Sequence, residues 1–521
     1  MIVRRLLAFL IIASTLTGCS RAEPPAAAPT TARNLLIITV DTLRADRVGA
    51  YGYSRAQTPA MDALATRGVR FERAYATAPI TLTSHASLMT GRYPPGHGAR
   101  HNGMRLDLSV PTLAETLGRA GFATGAFVGA FPLDRRFGLI KGFSTYGDRM
   151  PRGPQGRLAN ERPGIAVADE AIAWLEKQLA RRSLGEGGQP SRFFLWVHLF
   201  EPHAPYGRPG DRSPADARYD GEVAESDRQI ARVIAALGPE ASSTLIVLAA
   251  DHGEAFGEHG EIGHSIFVYD TTLQVPLIVA GPAVTPRVVR DPVTLVDIAP
   301  TVTRLLGVGV FDADGLDLSP VLLSAVAKAD LSAVASAKAE AGNALPPREL
   351  YAESFAPLLD FGWSPLRSLR AEGFKFIAAP KPELFALTTD EAETKNVVEA
   401  EQKRAAVLRD RIDRISSATL AAQTAIDPET TGRLQALGYV SGSPGAQGSS
   451  RPDPKDRREL AARIARVTSG ELAGAELESA LRAILKDDPQ NPQAHMRLGY
   501  VLAETNRCAE AEPHFRAAIS A

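Results

Sequence analysis

The sequence predicts an α/β fold: a mostly parallel sheet flanked by helices, then a small C-terminal subdomain, then an α-helical segment. Three observations predict it. Asn34-Leu35-Leu36-Ile37-Ile38-Thr39-Val40 and Thr244-Leu245-Ile246-Val247-Leu248-Ala249-Ala250 are continuous apolar runs rich in branched residues, the pattern of strands buried on both faces. Stretches of helical period, such as Thr58 to Gly68 and Tyr219 to Leu237, lie between such runs. From Glu459 onward the period is helical to the end. The 521 residues, 45% of them hydrophobic, suffice for one large domain plus a small module. A net charge of −1 lacks the basic surplus of a nucleic-acid binder.

In chain order, Met1-Ile2-Val3-Arg4-Arg5 is basic and Leu6 to Leu16 is apolar but too short to span a bilayer. Leu16-Thr17-Gly18-Cys19 resembles a bacterial lipobox, which implies a signal peptide over 1–18 and acylation of Cys19. The expected location is the bacterial cell envelope, lipid-anchored, with 19–33 as a Pro/Ala-rich tether. The α/β domain spans 34–440, with its small subdomain over 350–400. Ala325 to Ala344 is a low-complexity insertion, and 441–458 is a Gly/Ser/Pro-rich linker. With two cysteines, Cys19 and Cys508, no disulfide framework or thiolate metal site is expected.

The chemistry gathers at strand ends. Asn34–Val40 delivers Asp41, and Thr244–Ala250 delivers Asp251-His252-Gly253-Glu254. Adjacent Asp and His at a strand end suit a hard-to-borderline metal ion. Ser191 to Leu199 carries His198, read as structural, and is followed by His203 between prolines. The loop Gly257 to His264 adds His259 and His264. After Thr81-Leu82, the residues from Thr83-Ser84-His85 read as a helix of about two turns closed by Thr90-Gly91. Thr83 or Ser84 is its expected N-cap, with Thr81 at the mouth, where backbone N–H groups can hold a tetrahedral oxyanion. Glu222 and Asp227 are expected to support the fold rather than react.

These motifs, in this order and spacing, resemble the sulfatase branch of the alkaline-phosphatase superfamily over roughly Asn34 to Leu437. Asp41-Thr42-Leu43-Arg44-Ala45-Asp46 looks like that family's first metal segment, and Ala250-Asp251-His252-Gly253-Glu254 like its second. Sulfatases place an oxidisable Cys or Ser at the position of Thr81, in a Cys/Ser-x-Pro-x-Arg pattern; here Thr83 and His85 replace the Pro and Arg. A Thr cannot become formylglycine. The window instead resembles the nucleotide pyrophosphatase/phosphodiesterase branch, whose Thr nucleophile stands nine residues before Thr-Gly, with an Asn twenty-one residues on, here Asn102. That branch's second metal needs ligands where this chain has His203 and Gly207, so one metal is implied.

The resemblance implies a metal-dependent hydrolase of sulfuric or phosphoric esters with a covalent Thr81 intermediate. Asp41, Thr81, Asp251 and His252 would hold one divalent ion (Ca, Mg, Mn or Zn). Asn102 and His264 would steady the equatorial oxygens, and His203 or His264 would protonate the leaving group. Substrates would be small-molecule, glycan or lipid esters. An envelope phosphoalcohol transferase and a catalytically dead surface scaffold are the alternatives. Pro492, Leu498, Gly499, Leu502, Ala511, Phe515 and Ala518 fall at the offsets of a tetratricopeptide repeat, so 459–521 reads as a repeat pair that either leans on the α/β domain or is cut short of a longer array, and that offers a site for a protein partner.

Overall fold

The computed structural model describes residues 32–151, 159–183, 192–207, 211–323, 345–416, 420, 427–436 and 451–520. Cys19, the tether, the Ala-rich insertion and most of the linker lie outside the described residues.

The large sheet is built from β1 (Asn34–Val40), β2 (Val69–Tyr75), β3 (Phe122–Val128), β4 (Thr145–Gly147), β5 (Arg192–Leu199) and β6 (Thr244–Ala250). After the two-residue pair β7 (Ala255–Phe256) and β8 (Ile262–Gly263) come β9 (Gln274–Ala280), β10 (Arg287–Val289) and β11 (Val293–Thr294). Their order is β10-β2-β9-β6-β1-β5-β3-β4, with β11 also on β2. Every pairing is parallel except those of β9 with β6 and β2. Strands β1 and β6 are buried at every residue, as continuous apolar runs require of a sheet covered on both faces.

Register positions the chemistry. Val40 pairs with Leu199 on one side and Ala250 on the other. The three central strands therefore finish level, and the residues beyond them emerge at one edge, where open α/β sheets carry their sites. Alternation puts Thr39, its partner His198 and Asp41 on one face.

Residues 350–386 form a separate antiparallel sheet of β12 (Leu350–Ser354), β13 (Leu366–Ala371), β14 (Phe374–Ala378) and β15 (Glu383–Ala386). The helix Gln402–Ile415 covers it through Leu408 and Ile412. Two buried charge clusters fasten this subdomain to the large one: Arg100 with Glu353 at 2.6 Å, and Asp270 with Lys375 at 2.8 Å and with Arg370.

Four helices follow the linker: Arg458–Thr468, Gly474–Asp487, Pro492–Glu504 and Cys508–Ser520. Their Leu460, Ile464, Val467, Leu481, Leu498 and Leu502 join the same apolar cluster as the large sheet. Arg218 reaches Glu471 at 2.9 Å, and Arg458 donates to the Tyr269 hydroxyl at 2.7 Å. This segment is packed onto the α/β domain.

Candidate active site

Asp41 and Asp251 each follow a fully buried strand. Between them the chain turns sharply at Thr42, whose φ of +51° is a left-handed conformation costly for a branched residue. That turn aims the Thr42 N–H at Asp251 Oδ1 (3.2 Å), which also accepts the N–H of His252 (2.8 Å). The Thr42 hydroxyl donates to the Pro202 carbonyl. One oxygen of Asp251 is thus fixed and the other is left over.

Four ligand atoms converge with nothing to bond. Both oxygens of Asp41, Oδ2 of Asp251 and Nε2 of His252 are buried and have no hydrogen-bond partner among the described residues. The ligand atoms of these three residues lie within 4.8 Å of one another. His252 Nε2 is 3.7 Å from Asp41 Oδ1 and 3.6 Å from Asp251 Oδ2. The Gly253 carbonyl, 3.0 Å from Nδ1, can only accept, so the His252 proton sits on Nδ1 and the Nε2 lone pair faces two carboxylates. Lone pairs turned on one another in a dry site are repulsive; the same set around a divalent cation is an ordinary ligand shell. Burial pushes both aspartates well above the usual carboxylate range, with Asp41 adding to the effect on Asp251. Burial holds His252 down at about 3, neutral as a ligand must be.

His198 adds a fourth such residue. It lies on β5 in register with Thr39, buried, with neither ring nitrogen hydrogen-bonded, and its Nε2 is 3.5 Å from Asp41 Oδ2. Sequence reading placed it in the framework; the geometry places it among the ligand candidates. Only the pairing of β5 with β1 reveals this, by setting His198 level with Thr39 and on the face of Asp41. His85 differs, since both its nitrogens are committed: Nδ1–H donates to the Thr81 carbonyl (2.7 Å) and Nε2 accepts from Thr39 Oγ1 (3.0 Å). It ties the Thr81 backbone to β1.

The helix bearing Thr81 runs Thr81–Thr90, two residues earlier than the start expected at Thr83, and its N-cap lies three or four residues before the expected one. Ile80 is its N-cap and offers no side-chain acceptor. Thr83 and Ser84 are therefore inside the first turn rather than capping it. The Thr83 hydroxyl is buried without a partner, and Ser84 Oγ donates to the Asp251 carbonyl at 2.6 Å. The cap comes from Asn102, whose Oδ1 accepts the Leu82 N–H at 3.0 Å. Fixing that oxygen leaves Asn102 Nδ2, buried and unpartnered, as a free donor beside the helix mouth. At the other end Gly91, with φ +64°, closes the helix in the left-handed conformation.

His203 and His264 meet. Their Nε2 atoms are 3.3 Å apart, and the His264 ring lies 4.3 Å from that of His252. His203 Nδ1 donates to the Ala204 carbonyl (2.7 Å). The Pro79 carbonyl, 3.1 Å from His264 Nδ1, can only accept, so the His264 proton sits on Nδ1, with Ser265 Oγ 2.9 Å away, and the Nε2 lone pairs of His203 and His264 face one another until a proton bridges them. Burial lowers His203 to about 4 and His264 further below the usual range. The pair borders a cavity of about 380 Å³. Asp227 accepts the N–H groups of Ala60 and Met61 (2.9 Å each), and Glu222 that of Gly207, so both serve the fold.

A mostly parallel sheet with buried acid and imidazole groups at its central strand ends is the architecture of alkaline-phosphatase-like α/β hydrolases. Residues 33–308 match the Sulfatase family model, and the chain belongs to the sulfatase family. It is 28% identical to the steryl-sulfatase of Mus musculus over 537 aligned residues, covering 78% of this chain and 86% of that one. It is 24% identical to the choline-sulfatase of Rhizobium meliloti, covering 70% and 82%. The fold is also that of the phosphonate monoester hydrolase of Agrobacterium radiobacter, with a TM-score of 0.54 at 23% identity, covering 74% of this chain and 95% of that one.

Proposed function

We propose that this chain cleaves sulfuric or phosphoric esters with Thr81 as the nucleophile, at a site holding one divalent metal ion. The observation that carries the reading is the set of unpartnered buried atoms on Asp41, Asp251 and His252 beside the Thr81 helix. Asp41, Asp251, His252 and the Thr81 oxygen would hold the ion, which when bound lowers the hydroxyl pKa and offsets negative charge.

The remaining work falls to the chain. His85 holds the Thr81 carbonyl and so the start of the helix. Thr81 Oγ1 loses its proton to solvent and attacks sulfur or phosphorus in line, and the bond to the ester oxygen breaks on the opposite side. Asn102 Nδ2 donates to an equatorial oxygen. A proton taken up between the facing Nε2 atoms of His203 and His264 goes to the departing alkoxide, leaving both imidazoles neutral. Water then resolves the intermediate. Family membership favours sulfate esters. Phosphate esters are the second reading, because Thr81 cannot be converted to the aldehyde that sulfatases use. Aryl sulfates, phosphate mono- and diesters and phosphonates, each assayed with Ca, Mg, Mn and Zn, test both; a protein inert toward all of them refutes the reading.

The helices after 458 are read as two tetratricopeptide units. The approach of Phe515 to Gly499, where a Cβ would lie 2.7 Å from the ring, supports that packing. Cys19 is read as the lipid anchor to the bacterial envelope.

A further inference from the structure

A second cavity, of about 610 Å³, lies between the loops around 134–150 and the helix Pro428–Ala436. Five arginines line it, Arg105, Arg135, Arg136, Arg149 and Arg433, against three aspartates, Asp134, Asp148 and Asp427, an excess of two positive charges. It adjoins the cavity of His203 and His264. Arg433 donates to the Ala159 carbonyl at 2.7 Å and to Asn160 Oδ1 at 3.3 Å, and both of those residues line that cavity.

The aspartates are committed to two of the arginines. Asp148 takes the fork of Arg135 at 2.6 and 2.9 Å, and Asp134 takes Arg136 at 2.8 Å. Asp427 accepts from the N–H and hydroxyl of Thr430, with Arg136 at 4.0 Å. Arg105 and Arg149 are exposed and form no ion pair among the described residues. Arg433 is buried, its guanidinium lies 3.6 Å from the centroid of the Phe131 ring, and both its hydrogen-bond acceptors are neutral. Arg136 lies over the same ring at 5.1 Å. Burial first, then Arg136, hold Arg433 below the usual range of an arginine, and Asp134 and Glu429 offset this from beyond ion-pair reach. The adjacent stretches 152–158, 417–419, 421–426 and 437–450 contain no aspartate or glutamate, so the chain there has no carboxylate to offer. A buried cation without a carboxylate is costly.

Forks of N–H donors around one space match the oxygens of a sulfate or phosphate, which would also bring the missing charge. We infer that this pocket binds a sulfate or phosphate group other than the one held at Thr81. Two sources offer that chemistry: a second acidic group on the same substrate, reaching past Asn160, or the free ion that ester cleavage releases. The binding itself does not depend on Thr81 being the nucleophile, whereas both sources rest on the hydrolase reading.

The test titrates inorganic sulfate and inorganic phosphate into the full chain by isothermal titration calorimetry, in chelator, so that no metal holds them at Thr81. The wild type is expected to bind one ion per chain. Arg105→Ala combined with Arg149→Ala should weaken binding at least tenfold, as the loss of charge-assisted bonds predicts. Arg433→Gln replaces the pair if the double variant does not fold. Arg119→Ala, exposed and outside the pocket, should leave binding unchanged. No binding, or equal binding in the double variant and the wild type, overturns the inference. The source is then read from rates with bis-esters of linear diols of increasing length, beside the mono-esters, of the acid the assays select. A bis-ester favoured at least tenfold in kcat/KM, with the preference lost in the double variant, assigns the pocket to the substrate. A preference that is absent, or unchanged by the variant, assigns it to the free ion. If the wild type cleaves no ester, the hydrolase reading fails separately, and the titration alone judges the pocket.

Discussion

Replacing Asp41 with Asn should make the metal-depleted protein more stable while abolishing its response to metal. The carboxylates of Asp41 and Asp251 approach within 4.8 Å. At an effective dielectric constant of about 20, two unit charges at that separation repel by about 3.5 kcal/mol. Burial holds both groups well above the ordinary carboxylate range. Their contribution to stability is therefore present below the unfolded-state pKa of about 4 and is lost as pH rises through the folded-state values. The advantage of Asp41→Asn should grow with pH and reach about 3 kcal/mol when both groups would ionise. For a folded unit of about 400 residues with about 2.1 cal/mol/K of unfolding entropy per residue, that is about 4 °C in Tm. A cation at a hundred times its Kd stabilises the wild type by about 2.7 kcal/mol, or about 3 °C. Calorimetry at fixed scan rate, in chelator and then with each metal, should show the variant above the wild type without metal and unmoved when metal is added. A variant less stable than the chelated wild type, or one that keeps the metal shift, would refute the idea that these carboxylates oppose folding until a cation joins them.

Thr81→Ala should abolish turnover with little change in Tm, and Thr81→Ser should retain part of it; steady-state rates beside thermal melts decide this. Asn102→Ala should slow turnover about 10²–10³-fold and also cost about 0.5–2 kcal/mol, because the Leu82 N–H loses its cap; an effect on stability alone would remove the oxyanion role. His198→Gln should weaken metal binding about 10–100-fold by isothermal titration calorimetry, whereas unchanged affinity would return His198 to the framework. Glu261 is buried, accepts the N–H groups of Ile266 and Phe267, and is pushed by burial from 4.5 to about 8. Its contribution is intact below pH 4.5 and falls away as pH rises through 8, by on the order of 5 kcal/mol at about 1.4 kcal/mol per factor of ten. Glu261→Gln should flatten the decline of stability with pH over that range, measured by urea unfolding.

The legible parts of the fold were those in which one strand carries its own signal. The runs ending at Val40 and Ala250 could be read to the residue because burial on both faces leaves no alternation to confuse. Asp41, Asp251 and His252 followed as the first polar residues beyond them. The start of the Thr81 helix was misplaced because local rules look for a capping hydroxyl, while the cap is supplied by Asn102, distant in sequence. The weight of His198 was hidden for a related reason: a histidine inside an apolar run looks like packing until the register with β1 sets it against Asp41. The meeting of His203 with His264 depends on two loops from different strands, which no periodicity reports.

The level finish of β1 and β6 also makes the site a gauge of correct assembly. Asp41 and Asp251 stand one residue beyond the paired residues Val40 and Ala250, so their separation is set by the spacing of adjacent strands, about 4.7–4.9 Å. A slip of one residue between these strands would turn every side chain of one strand to the opposite face and carry one carboxylate away from the other. Misregistered sheets would then be unable to gather the ligands, and a cation would reward only the native pairing. The closeness of carboxylates that opposes folding without a cation would thus also proofread the centre of the sheet.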